Sequence, residues 1–333
     1  MSYLFVNENG AVINYQENYV VVKYSDNMLR KIPVENLEAI YLFTSVQITS
    51  QCMVECLKHG ISVSYFSKGG AYFGRLQSTS HVNVQRQRKQ AALADTLFAL
   101  ELAKNIIRGK IHNQEIVLKR YARSEHKNVD DISVSMKQSL NKIKECKTVQ
   151  EIMGYEGNAA RLYFDGLSRL VDDEFAFHGR SRRPPRDEFN SMLSLGYSIL
   201  MNEIYGRLEN KGLNPYFGFI HSDREKHPTL ASDIMEEWRA VIVDSAVMSL
   251  VNGHEIHKEQ FVHDIDSPGY YLTREGLGIF LKKYDTKMQT LVNYLNYIDY
   301  PVSFRKSIDL QINELTNAIE AEDASLYRPI WLR

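Results

Sequence analysis

Three separate stretches of the chain carry side chains that could bind a divalent metal ion. Glu156 lies between two glycines, His221 ends an aromatic run, and Asp233 and Glu236 lie three residues apart in a largely apolar segment. Residues at that spacing share one face of a helix, where their like charges repel unless a cation or an arginine neutralises them. Carboxylates with one imidazole are typical ligands of Mg²⁺ or Mn²⁺. The sequence therefore predicts a metal centre made by Glu156, His221 and a carboxylate of the Asp233/Glu236 pair.

Each of these residues also has an ordinary structural explanation. A glutamate near a helix start, as the pattern around Glu156 suggests, is stabilised by the helix dipole. A single histidine after aromatic residues, such as His221, is more often a packed ring than a ligand. Arg239 lies three residues beyond Glu236 and could be its ion-pair partner. Spacing alone leaves these alternatives open.

Basic side chains cluster in two places, although the net charge of the chain is only −1. Ten basic and three acidic residues occur between positions 72 and 123, and four arginines occur between positions 180 and 186. Local basic fields of this kind suit the phosphate backbone of DNA, although solvated helix faces and a basic loop would also produce them. The candidates for DNA binding are Arg86, Arg88, Lys89, Arg180, Arg182, Arg183 and Arg186.

The chain divides by the period of its apolar residues into a small β region and a larger helical region. Short segments rich in Val, Ile, Tyr and Phe recur up to about residue 75, with one helix after Ser50. The polar stretch 77–83 follows, and from Gln85 onward the apolar residues recur at three- and four-residue spacing, with a helix break expected at Gly109. The sequence predicts an α+β protein with an N-terminal β domain over 1–75, a linker over 76–85 and an all-α catalytic domain over 86–333.

The composition also indicates where the protein works. The three cysteines form no CxxC pair, which suits a reducing cytoplasm. Cys52 and Cys56 are four residues apart, a spacing that favours helix packing over metal binding. The longest apolar runs fall far short of the ~20 residues of a membrane span. We therefore expect a cytoplasmic protein without a membrane partner.

Several motifs resemble those of the CRISPR-associated integrases, the universal spacer-acquisition enzymes often described as the first Cas protein. The resemblance covers essentially the whole chain, including Thr-Ser-Val-Gln-Ile-Thr-Ser at 44–50 and Tyr-Leu-Thr-Arg-Glu-Gly at 271–276. The most specific motifs are GYEGNAA at 154–160, RPPRDEFN at 183–190, GFIH at 218–221 and DIMEEWR at 233–239.

The resemblance implies both an activity and a set of roles. The family's metal-binding glutamate and histidine fall on Glu156 and His221, and its last carboxylate ligand falls on Glu236. Asp233 matches a further acidic position near the metal, where it would orient a ligand or bind a second ion. The implied reaction is an Mg²⁺- or Mn²⁺-dependent transesterification that inserts short foreign DNA into a CRISPR array. The implied partners are double-stranded DNA (prespacer and repeat), a second copy of the chain through its β domain, and a small ferredoxin-like second adaptation protein.

Two rival functions remain open at this stage. A metal-dependent nuclease that repairs branched DNA would use the same site without integration. A non-catalytic DNA-binding adaptor would carry the same acidic residues merely as partners of arginines. In that case Glu156→Ala would change no activity.

Overall fold

The N-terminal region consists of two four-stranded sheets with a helix between two strands of the first. These sheets belong to a computed structural model that describes residues 2–26, 28–264 and 268–333. The elements are β1 (Ser2–Val6), β2 (Val12–Gln16), β3 (Tyr19–Lys23), β4 (Leu29–Pro33), β5 (Leu37–Leu42), β6 (Gln47–Ile48), α1 (Ser50–Lys58), β7 (Ser62–Phe66) and β8 (Tyr72–Leu76). Sheet A has the strand order β1-β5-β7-β8 and sheet B the order β4-β3-β2-β6.

The alternation of side chains along β1 and β5 gives sheet A two buried faces. Successive residues of a strand point to opposite sides, so Tyr3 and Leu4 enter different cores. Aromatic residues on one face join the core of the helical region, and these are Tyr3, Tyr41, Phe43 and Phe66. Aliphatic residues on the other face, including Leu4, Ile40 and Val63, share a second core with Ile13 of sheet B and with the buried thiols of Cys52 and Cys56 on α1. The packing role predicted for the two cysteines is confirmed.

The rest of the described chain is mainly helical, as predicted. Its helices are α2 (Val84–Ala92), α3 (Leu97–Ser124), α4 (Asp130–Ile143), α5 (Val149–Leu170), α6 (Glu188–Asn210), α7 (Thr229–Met235), α8 (Ser245–Asn252), α9 (Arg274–Gln289) and α10 (Phe304–Ala321). A π-helical segment, Arg239–Asp244, separates α7 from α8. Among the described residues, no helix is both long enough and apolar enough to cross a membrane.

The expectation of an all-α region is wrong in one respect. Two short antiparallel hairpins lie among the described helices, formed by β9 (Phe261–Asp264) with β10 (Gly269–Leu272) and by β11 (Leu291–Val292) with β12 (Val302–Ser303). Strands of two to four residues are too short for a two-residue period to distinguish them from loops. Sheet A and the helices share one hydrophobic core. The predicted separation into a β domain over 1–75, a linker over 76–85 and a catalytic domain over 86–333 therefore remains a prediction.

The helix break expected at Gly109 is also absent, because α3 runs through this residue. A Cβ atom built on Gly109 would lie 2.9 Å from Cβ of Pro329 and 3.5 Å from the carboxyl carbon of Glu237. The glycine therefore allows the C-terminal segment to pack against α3 rather than ending the helix.

This packing predicts the effect of a single methyl group. We expect Gly109→Ala to lower the free energy of unfolding by about 1–3 kcal/mol, because the added atom overpacks a buried contact. Chemical denaturation measures the change. Gly278→Ala in α9 is the control, since its Cβ would meet only Nδ2 of Asn7 at 3.6 Å, and we expect no loss of stability there.

Candidate active site

Glu156 lies within α5, on the face that packs against the protein interior. The helix begins at Val149, where the Thr148 hydroxyl accepts a hydrogen bond from the Glu151 amide at 3.2 Å. Ile152, Ala159 and Tyr163 are fully buried, and their spacing of −4, +3 and +7 places them on the same face as Glu156. Glu156 is therefore in the helix interior, and the alternative of a first-turn glutamate stabilised by the helix dipole is wrong.

The glycines on either side of Glu156 do not bring other parts of the chain close. A Cβ atom at Gly154 or Gly157 would meet nothing within 4 Å. Both residues are exposed, so the surface of α5 at these two positions is open.

Asp233 fixes the position and the tautomer of His221. Its Oδ2 accepts the amides of Phe219 and Ile220 at 2.7 and 3.0 Å, and its Oδ1 accepts the amide of His221 at 3.1 Å. Oδ1 also lies 2.6 Å from Nδ1 of His221. A carboxylate only accepts, so Nδ1 donates the proton and the lone pair of the neutral ring is on Nε2.

The electrostatic environment of His221 follows from the same contacts. Burial alone would lower the pKa of His221, but the hydrogen bond and charge of Asp233, with the charge of Glu236, raise it. Nε2 lies 3.9 Å from Oε1 of Glu236. The structure thus brings the imidazole and this carboxylate together, and it gives Asp233 four hydrogen bonds. These contacts support an orienting role for Asp233 over direct binding of a second ion.

Glu236 is buried, with its side chain only 4% exposed, and it contacts two cationic residues. Arg239 Nη2 lies 3.0 Å from Oε1, and Lys110 Nζ lies 2.5 Å from Oε2. Burial alone would raise the pKa of Glu236, but Arg239 and Lys110 together lower it to about 2. The ion pair with Arg239 that spacing suggested is therefore present, and Glu236 remains ionised.

Lys110 joins Glu236 to Glu156, and sequence reasoning did not identify it as a site residue. Its ammonium group, on α3, donates a hydrogen bond to Oε1 of Glu156 while it contacts Glu236. Burial alone would lower the pKa of Lys110, but Glu236 and Glu156 raise it. A lysine in the buried stripe that contains Ile106 and Ile111 is the signal that could have revealed it.

Behind this cluster, Asp244 holds two tyrosines with its buried carboxyl group. The hydroxyls of Tyr163 and Tyr197 donate to it at 2.8 and 2.5 Å, and burial raises its pKa although these bonds oppose the rise. The guanidinium of Arg239 lies 5.0 Å from the centre of the Tyr197 ring. The π-helical segment thus carries two residues that contact Tyr197, and such segments are frequent at functional sites.

The predicted DNA-binding residues fall into two structural groups. Arg88, Arg182, Arg183 and Arg186 are exposed. The others make internal contacts: Arg86 pairs with Glu320 at 2.6 Å, Lys89 with Glu322 at 3.5 Å, and Arg180 donates to Asn190 at 2.8 Å and Ser194 at 3.0 Å.

The arginine loop, residues 178–187, lines a cleft of about 650 Å³. Arg180 of this loop also lies over the Tyr197 ring, 5.3 Å from its centre. The pKa of His227 is lowered by burial and by neighbouring charges that include His221 and Arg183, and the rings of His227 and His221 are 6.3 Å apart. The loop therefore adjoins the cluster.

The atoms of this cluster suit a divalent cation in kind. The donors are two carboxylates and an imidazole nitrogen, and Oε2 of Glu236 is shielded from solvent without an aligned hydrogen bond. Within the part of the chain that the structure describes, no three His, Cys, Asp or Glu side chains already form a metal-binding group. The two carboxylates are held instead around the Lys110 ammonium.

A β region that shares its core with a helical region, and a carboxylate–histidine cluster beside an arginine loop, define the class of protein. The chain belongs to the family described as CRISPR associated protein Cas1, whose model matches residues 4–286. It is 35% identical to a CRISPR-associated endonuclease Cas1 of Mycobacterium tuberculosis, over 96% of this chain and 95% of the relative.

Solved structures share the fold. A chain of a Cas6-RT-Cas1–Cas2 complex matches with a TM-score of 0.83 and 25% identity, over 100% of this chain and 36% of that longer one. A casposase matches with a TM-score of 0.86 and 23% identity, over 98% of this chain and 93% of that one. The resemblance to the family and the α+β fold predicted from the sequence are both confirmed.

Proposed function

We propose that this protein is a metal-dependent DNA endonuclease and integrase that inserts short foreign DNA into a CRISPR array by transesterification. The observation that carries the proposal is the convergence of Glu156, His221 and Glu236, from three distant stretches, on one buried position beside an arginine loop. A relative 35% identical over nearly the whole chain is named as an endonuclease, and the casposase with the same fold is bound to an integration product.

In this proposal Glu156, Glu236 and Nε2 of His221 hold the ion, Mg²⁺ or Mn²⁺. When bound, such an ion polarises a phosphoryl oxygen and lowers the pKa of the attacking hydroxyl. Asp233 holds the imidazole with Nε2 directed toward Glu236, so that the ring itself need not reorient when a ligand binds. Arg239, which lies over the Tyr197 ring, helps to keep the Glu236 carboxylate ionised. Water as the attacking group gives cleavage, and a DNA 3′-hydroxyl gives joining.

We assign DNA contacts first to the exposed residues Arg88, Arg182, Arg183 and Arg186. Their guanidinium groups can bind phosphate oxygens through paired donors. Arg180 anchors the arginine loop through its hydrogen bonds to Asn190 and Ser194. Because its guanidinium is engaged in this way, it is less available to DNA than the four exposed arginines. Arg86 and Lys89 contact phosphates only after they exchange their glutamate partners on α10 and beyond.

The proposed partners follow the family. A chain with this fold was solved in a Cas6-RT-Cas1–Cas2 complex, which supports assembly of this protein with a second adaptation protein, the small ferredoxin-like one. We further propose a homodimer formed through the β domain, which acts on prespacer and repeat DNA. The three cysteines are free and buried, and the cytoplasmic location remains a prediction.

The open surface beside Glu156 gives a separate prediction. We expect Gly157→Ala to raise the free energy of unfolding by about 0.5–1 kcal/mol, because alanine favours the helix and its methyl group meets nothing. We also expect slower DNA cleavage, since the methyl group takes up room that we assign to the phosphate backbone. Gly278→Ala is the matched control, with unchanged cleavage. Unchanged cleavage in Gly157→Ala would show that the DNA backbone does not lie against this surface.

Joining distinguishes the proposal from its two rivals. The assay combines a supercoiled plasmid that carries a repeat with free-ended DNA and the second adaptation protein in Mn²⁺. We expect joined products at the repeat. A nuclease for branched-DNA repair would cut without joining, and a non-catalytic adaptor would bind DNA and do neither.

A further inference from the structure

We propose that Lys110 is an internal counter-cation, which holds Glu156 and Glu236 together in the metal-free protein and opposes binding of the divalent ion. This inference rests on the proposed metal-dependent function and adds a residue that sets the metal affinity. The ion and the ammonium group compete for the same two carboxylates, so Lys110 must release at least one of them when the ion binds.

The position of Lys110 is the first support. Its side chain is only 6% exposed, and it lies on the buried face of α3 near Ile106, Ile107 and Ile111. A buried ammonium group is costly unless it is paired. Lys110 has two carboxylate partners and so is held at the point where Glu156 and Glu236 meet.

The balance of charge is the second support. Glu156 and Glu236 supply two negative charges, and Lys110 and Arg239 supply two positive charges within ion-pair distance of Glu236. These four side chains together therefore carry no net charge before any divalent ion arrives, and the Asp233 carboxylate beside His221 adds one negative charge. An added ion leaves an excess of positive charge in a poorly solvated site, which weakens its binding unless Lys110 moves away or a phosphate enters.

Another lysine on α3 shows what an ordinary pair looks like. Lys119 pairs with Glu115 at 2.5 Å, four residues earlier on the same helix, but its side chain is 32% exposed. Lys119→Met is therefore a matched control. It removes a lysine–glutamate pair from the same helix without touching Glu156 or Glu236.

The experiment measures Mn²⁺ binding to the full-length protein by calorimetry and by the electron paramagnetic resonance of free Mn²⁺. We expect Lys110→Met to bind Mn²⁺ roughly tenfold more tightly or better, because a repelling charge is gone. Its melting temperature in EDTA should fall, and Mn²⁺ should raise it by more than in the parent protein. Lys119→Met should bind Mn²⁺ like the parent. Lys110→Gln, which can still donate to Glu156, replaces the methionine variant if that one does not fold.

Unchanged or weaker Mn²⁺ binding by the folded Lys110 variants would overturn the inference. Glu156→Gln separates this failure from failure of the proposed function. If the parent binds Mn²⁺, Glu156→Gln does not, and Lys110→Met binds no more tightly, only the role of Lys110 is wrong. If the parent binds no Mn²⁺, or if Glu156→Gln binds it equally well, the metal site and the role of Lys110 both fail.

Discussion

Replacing Glu156 with glutamine is expected to lower DNA cleavage and joining by roughly 10³-fold in saturating Mn²⁺. The amide keeps the shape of the side chain and loses the charge that would bind the ion. DNA binding at moderate salt should survive, because phosphate contacts lie with the exposed arginines. Rates from a plasmid assay and affinities from a gel-shift assay measure the two effects separately.

A matched control lies on the same helix. Glu151 is exposed in the first turn of α5, where its carboxylate accepts the amide of Lys147 at 2.7 Å. A glutamine can make the same hydrogen bond, so Glu151→Gln should retain cleavage and joining. Full activity in Glu156→Gln would instead favour the non-catalytic adaptor, in which the carboxylate serves only as a partner of Lys110.

Asp233→Asn is expected to reduce both activity and stability. Both oxygens of Asp233 accept hydrogen bonds from backbone amides. In either orientation the side-chain NH₂ group of asparagine would face a backbone N–H, and that N–H would lose its acceptor. We expect a loss of about 2–4 kcal/mol in the free energy of unfolding. We also expect roughly a 100-fold loss of Mn²⁺-dependent cleavage, because the hydrogen bond to His221 no longer fixes the lone pair on Nε2.

Urea denaturation and cleavage rates test this prediction. The control is Asp223→Asn on the exposed loop that follows His221, which should match the parent in both measurements. An Asp233→Asn variant that unfolds like the parent would show that the four hydrogen bonds do not support the 219–221 segment. A variant that is destabilised yet fully active would show that orientation of His221 does not limit the reaction.

Much of the fold could be predicted because local patterns determine it. The two-residue alternation of Tyr3 and Leu4 reports two buried faces of one sheet, and three- and four-residue spacing reports the helices. The site residues could be named because carboxylates and a histidine occur in motifs shared with a known family. The residue spacing and the motifs each span only a few neighbouring residues, so both can be recognised without the tertiary structure.

The remaining features depend on contacts between distant parts of the chain. In the sequence, Lys110 is one of ten basic residues between positions 72 and 123. The packing of α3 is what brings it against Glu156 and Glu236. The role of Asp233 depends on three amides of a turn more than ten residues away. Gly109 predicts a helix break from sequence alone, because the residue that explains it, Pro329, is 220 positions later. Arg86 and Lys89 differ from Arg182 only because acidic residues near the end of α10 pair with them.

The most direct test is a crystal structure of the protein soaked in Mn²⁺, with the ion located by its anomalous scattering. We expect an ion within about 2.6 Å of carboxylate oxygens from Glu156 and Glu236 and of Nε2 of His221. We also expect the Lys110 ammonium to have left at least one of these carboxylates. An ion bound elsewhere, together with DNA joining that persists in EDTA, would contradict the proposed metal site.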